Sequence, residues 1–180
     1  MRNFKLKDKL YHGSIFNFSS IDLTKGLGFK DFGKGFYLAY NKTQSINLVN
    51  RRIKSLKDIG DKNKYNKYLY TFETIPENLA KCNVKIFECA DLEWLDFILA
   101  CRAVNGTPHH YDIVIGPTAD DATNVCLNMY MEGSYGKVGS ISARRTLLTN
   151  LEPENLGIQV FIGTPLGLSI LKSVKKEILR

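Results

Sequence analysis

The chain has 180 residues and a mass of 20.4 kDa, with 44% hydrophobic and 24% charged residues. That is enough for one globular domain over 1–180, and it excludes a disordered or fibrous chain and two full domains joined by a linker. The formal charge is +7, yet residues 1–68 hold 15 Lys+Arg against 5 Asp+Glu, and the remainder 10 against 13. The basic excess is therefore N-terminal, with Arg51, Arg52, Lys54, Lys57, Lys62, Lys64 and Lys67 as its densest run. Such a run reads first as a solvated helix face and loop, and second as a surface for phosphates.

No stretch of about 18 uncharged apolar residues occurs, and Met1–Lys5 lacks the apolar run of a signal peptide. A soluble, cytoplasmic protein is expected. Cys82, Cys89, Cys101 and Cys126 form no CxxC pair and sit in apolar contexts, so reduced core thiols are expected. Of three histidines two are adjacent, His109 and His110, which read as loop residues; no metal-ligand spacing appears and no metal is expected.

In chain order, Lys9–His12 reads as a short strand broken by Gly13-Ser14. Residues 19–35 carry Gly26, Gly28, Gly33 and Gly35 among polar residues, a candidate binding loop. Phe36–Tyr40 reads as a strand, and Asn41 caps a helix whose Ile46, Val49, Ile53 and Leu56 form the buried stripe, leaving Arg51, Arg52 and Lys54 outward. Strands are predicted at Tyr68–Glu73 and Val84–Phe87. Asp91 caps a second helix, buried on most sides, with Trp94 as a core anchor and Arg102 near its end. Tyr111–Gly116 reads as a buried strand, followed by helices over about 119–131 and 140–148. Ile158–Ile162 is the last predicted strand, and Thr164-Pro165 supplies an N-cap and first residue for a C-terminal helix. The order of elements lacks regular βαβ alternation, so the fold class is α+β.

Two constellations carry chemistry. Tyr11-His12-Gly13-Ser14 ends the first strand, and Asp31-Phe32-Gly33-Lys34-Gly35-Phe36-Tyr37 leads into the second. The glycines open a strand rather than a helix, which excludes a Rossmann or P-loop phosphate cradle. Together with Glu93–Phe97, Tyr111–Pro117, Ala119-Asp120-Asp121 and Gln159-Val160-Phe161, they make the chain resemble ADP-ribosyltransferases, and more closely an uncharacterised bacterial family with motifs of that kind.

The resemblance implies an ADP-ribosyltransferase-like fold: two packed, antiparallel-rich sheets around an NAD cleft, with flanking helices. It implies a site of the His-Tyr-Glu type. His12 would bond the adenosine-side ribose, Gly13 would hold the carboxamide through its backbone, and Tyr37 would stack on the nicotinamide, with Ser14, Gly35 and Phe36 beside them. At the third position this chain has Gln159, which can bond a ribose hydroxyl but cannot take a proton. Gln159→Glu should on that ground keep or raise turnover. A base would come from Asp120 or Asp121, whose other role is helix capping, and Arg102 would bind the pyrophosphate or form a partly buried ion pair. The resemblance further implies NAD as substrate, transfer of one ADP-ribose to a protein or nucleic acid, and a toxin-like role with a neutralising partner. Water as acceptor, or a binding module without turnover, are the alternatives.

Overall fold

The fold is that of a computed structural model describing residues 6–119, 121–151 and 157–179, without the side chains of 121–124 and 173. Seven strands run in the order β4–β5–β6–β2–β1–β3–β7: β1 (Lys9–Ser14), β2 (Phe36–Ala39), β3 (Lys67–Thr74), β4 (Val84–Ile86), β5 (Ile113–Pro117), β6 (Ile158–Ile162) and β7 (Leu171–Leu179). All neighbours are antiparallel except β4 and β5. The helices are α1 (Lys42–Asp58), α2 (Leu92–Arg102), α3 (Asp121–Met131), α4 (Ile141–Asn150) and α5 (Pro165–Leu168). The class is α+β. The expected pair of sheets is one continuous sheet, because Tyr11 and Ala39 bridge β1 to β2.

Strand alternation sorts the apolar side chains into two cores. Phe32, Val114 and Phe161 meet Trp94, Leu95, Ile98 and Leu147 under the helices. Leu10, Leu38, Tyr70, Ile113, Ile115, Val160 and Ile162 meet on the other face, and since they come from five strands the sheet curls around them. Strand β5, an unbroken apolar run flanked by β4 and β6, is buried at every position.

The caps of α1 and α2 are where the sequence puts them. Asn41 accepts from the Thr43 N–H at 2.8 Å and Asp91 from the Trp94 N–H at 2.9 Å, while Ser140, expected within a helix over 140–148, is the cap of α4 and accepts from the Ala143 N–H at 3.2 Å. Along α1, Val49 is buried and Arg52 and Lys54 are exposed, but Arg51 is half-buried rather than outward. Trp94 is fully buried and donates from its indole to the Pro117 carbonyl at 3.2 Å.

Three expectations are corrected. Gly13-Ser14 does not break β1, because both residues pair with Leu69 and Tyr68 of β3. Gly13 is required here by a close approach: a Cβ would run into the Ser45 carbonyl of α1. Thr164-Pro165 opens a helix of only four residues, after which the chain turns into a seventh strand. Residues 171–179 contain good helix formers, but the free edge of β3 offers a ladder, and pairing from Lys67↔Leu179 to Thr74↔Leu171 outweighs local propensity. Finally, all four cysteines are free, but Cys89 is exposed; only Cys101 is fully in the core, where burial pushes its thiol up to about 12.

Candidate functional site: the seam between β1 and β2

β1 pairs with β3 over six positions from Lys9↔Glu73 to Ser14↔Tyr68, but with β2 only at Tyr11↔Ala39. Continuing that register would make Gly13 the partner of Tyr37. Instead the ladder stops, and the Tyr37 carbonyl accepts a bond from His12 Nδ1 at 2.7 Å. The imidazole takes over a position that a backbone N–H would fill in an uninterrupted sheet. The seam thus brings the Gly13 peptide and the Tyr37 backbone opposite one another without locking them together.

That bond fixes the histidine's tautomer. A carbonyl can only accept, so Nδ1 carries the proton and Nε2 is left as an acceptor. Burial among Phe36, Phe18 and Tyr70 holds the His12 pKa below its ordinary value, against the opposing effect of the Tyr37 carbonyl. The ring stacks on Phe36 with centroids 4.4 Å apart. Below about pH 6.5 the unfolded chain takes up a proton that the folded chain refuses until lower pH. The stability this histidine contributes is therefore complete above that value and lost on acidification. Denaturant titrations of the wild type and His12→Gln between pH 8 and pH 5, a range of roughly one and a half units either side of the histidine value, should show a shallower acid loss in the variant. Equal slopes would contradict the buried neutral ring.

Alternation along β2 and β6 sends Tyr37 and Gln159 to the helix-covered face. The Tyr37 hydroxyl donates to the Gly33 carbonyl at 2.6 Å and accepts from the Phe32 N–H at 3.1 Å, and its ring meets the edge of Phe161 with centroids 5.3 Å apart. Burial, and secondarily the Asp31 carboxylate, hold this phenol well above its usual range, so it is a neutral donor. Gly35 lies under the Phe161 ring, where any side chain would collide. Next to Tyr37 stands a polar group that the sequence does not announce. Asp31, only 7% exposed, accepts from Gln159 Nε2, the Ala119 N–H and Arg102 Nε, each at 2.9 Å. Gln159 Nε2 also points at the Pro117 carbonyl at 3.4 Å, so both contacts use the amide nitrogen and Oε1 is its remaining acceptor.

The expected residues do not share one wall. His12 projects with Leu10 to the curled face, Tyr37 and Gln159 to the helix face, and the two groups meet through the Tyr37 backbone. The physical reason is the period of two: positions 10 and 12 of β1 lie on the face of 36 and 38 of β2, opposite to 37. Ser14 and Phe36 lie at the seam, and Ser14 Oγ accepts from the Phe16 N–H at 2.9 Å. Arg102 is in the ion pair with Asp31. Asp120 and the side chain of Asp121 lie outside the described residues. His109 bonds the Phe32 carbonyl through Nε2 at 2.9 Å and accepts from the Tyr111 N–H at 3.2 Å, a structural pairing.

Asp31 is the residue that sequence reasoning missed. Its one signal is a single acidic side chain among the aromatics, glycines and lysines of Phe29–Phe36.

Over residues 9–173 the chain matches the profile of a family described as protein of unknown function (DUF3990), and it belongs to that family. No curated protein and no solved structure matches it. Among the described residues no group of three or more His, Cys, Asp or Glu is placed to hold a metal ion, and no helix is long and apolar enough to cross a membrane.

Proposed function

We propose that the protein is an NAD-dependent mono-ADP-ribosyltransferase acting on a macromolecular acceptor. The observation that carries this reading is the interrupted ladder between Gly13 and Tyr37. A peptide group facing such a seam offers an N–H and a C=O side by side, the complement of a primary carboxamide. His12 Nε2, an acceptor, suits a ribose hydroxyl, and the aromatic face of Tyr37 suits a cationic nicotinamide ring.

In the reaction the bond between the ribose C1′ and the nicotinamide nitrogen breaks, and its electron pair leaves with nicotinamide. The ribose is left oxocarbenium-like, and a lone pair of the acceptor closes the new bond to C1′ while the acceptor's proton passes to a base. Gln159 Oε1 would hold a ribose hydroxyl as charge develops, and the anchored amide would be a positioning group rather than the base. Asp121 is the candidate for the base.

A second reading, an NAD-binding module without turnover, draws on the carboxamide at position 159. Incubating the protein with NAD alone and then with lysate, following nicotinamide release and label transfer, separates the cases. The transferase releases nicotinamide and labels an acceptor, a glycohydrolase releases it without acceptor, and the inert module does neither.

Gly13→Ala gives a stability check on the same seam. The added methyl has no room against the Ser45 backbone, so β1 and α1 must part, which should cost about 1 to 3 kcal/mol by overpacking. A variant as stable as the wild type in chemical denaturation would contradict the close approach of α1.

A further inference from the structure

The strand order collects the chain's positive charge on one half of the sheet. Residues 1–68, with β1, β2 and α1, hold 15 Lys+Arg against 5 Asp+Glu, and residues 169–180, with β7, hold 4 against 1. The intervening residues 69–168, with β4, β5, β6 and α2 to α4, hold 6 against 12. Because β7 closes the sheet beside β3 and β1, two basic segments far apart in sequence become neighbours. Among residues whose side chains are described, the two basic segments together hold 16 Lys+Arg against 6 Asp+Glu and the intervening residues 6 against 8, so the basic excess lies on the side of β1, β3 and β7, where a polyanion would be attracted.

On this basic half, next to His12, lies a groove of about 240 Å³ between the loop after β1 and the outer strands β3 and β7. Phe18 stacked on Tyr70, with centroids 3.9 Å apart, forms its aromatic wall, Ser19 and Ser20 supply hydroxyls, Lys172 supplies the charge, and no acidic residue lines it. At its edge Lys176 Nζ donates to Asn17 Oδ1 at 2.9 Å, and the preceding residue, Phe16, is 68% exposed. This exposed aromatic stands in sequence beside Asn17, the residue that Lys176 bonds. The groove is smaller than the roughly 300 Å³ at which small-molecule pockets begin, so it suits one ring rather than a dinucleotide.

We propose that residues 15–20 and strand β7 bind single-stranded nucleic acid, with bases on Phe16 and in the groove beside Phe18 and phosphates on Lys172 and Lys176. Rings that stack without reading base edges, alternating with cations that track the backbone, are what an unpaired strand requires and what a duplex, whose bases are hidden, does not. An acidic protein would use the lysines but gain nothing from Phe16. Where the transferase reading holds, this surface would present the acceptor strand beside the seam; the binding itself needs no NAD.

The test is fluorescence anisotropy with labelled twelve-residue oligo-dT and oligo-U, a DNA duplex of equal length and poly-glutamate, without NAD, over a salt series; the length spans roughly one stacking site. Single strands should bind more tightly than the duplex or poly-glutamate, and the oligo-dT and oligo-U arms give the sugar preference. Phe16→Ala should weaken single-strand binding about tenfold. Lys172→Gln with Lys176→Gln should reduce the slope of log affinity against log salt by about 1.4, two phosphates at about 0.7 each. Both variants alter exposed side chains, and circular dichroism confirms that they fold. No single-strand binding at low salt, equal binding of poly-glutamate, or indifference to Phe16→Ala would overturn the proposal. Because NAD is absent throughout, failure here leaves the NAD reading standing, and failure of nicotinamide release leaves this one standing.

Discussion

Asp31→Ala should lower the free energy of unfolding by about 3 to 5 kcal/mol, the cost of breaking a buried charge pair. The magnitude follows from burial: the side chains of Arg102 and Asp31 are only 22% and 10% exposed. The carboxylate also holds the Ala119 N–H and the Gln159 amide, so the substitution removes one acceptor shared by three separate segments. Arg102→Ala should cost a comparable amount, and the double variant less than the sum, since each single change already breaks the pair. Urea denaturation measures all three. A loss below about 1 kcal/mol for Asp31→Ala would place the pair among the weak surface bridges.

Gln159→Ala should slow nicotinamide release by about 30- to 800-fold, corresponding to about 2 to 4 kcal/mol of transition-state stabilisation, with a much smaller change in NAD affinity. The structure changes the expectation for Gln159→Glu. By sequence a carboxylate at 159 should preserve or raise turnover, but Gln159 Nε2 donates to Asp31 at 2.9 Å. Glutamate has no donor there, and two carboxylates at that distance cannot both ionise. Gln159→Glu should therefore be less stable than the wild type at neutral pH, with one carboxyl of the pair raised. Combining it with Asp31→Asn restores a donor facing an acceptor, and the double variant is where a gain in turnover should be seen. Single-turnover rates with NAD decide this. Unchanged release in Gln159→Ala would remove residue 159 from the site.

Local signals carried much of the fold. The caps at Asn41 and Asp91 and the strands β2, β3, β5 and β6 follow from short-range chemistry and alternation, which the sequence displays directly. The seventh strand did not: nothing local marks residues 171–179 as extended, and only the open edge of β3 makes them so. The two site motifs were legible, as tyrosine, histidine and glycine at a strand end and glycines before an aromatic strand. What was not legible is which face each side chain takes, since the register between β1 and β2 rests on the single bridge Tyr11↔Ala39. The role of Asp31 was hidden for the same reason. Its partners come from positions 102, 119 and 159, and only the completed fold brings them together.

The most direct measurement of the central claim is an NAD titration of the isotopically labelled protein followed by backbone amide resonances. The account predicts that the Gly13 and Tyr37 amides shift first and farthest, with the His12 ring following, and that His12→Gln weakens the response without abolishing the fold. Saturation with NAD that leaves Gly13 and Tyr37 unmoved, or moves only residues remote from the β1–β2 seam, would contradict it.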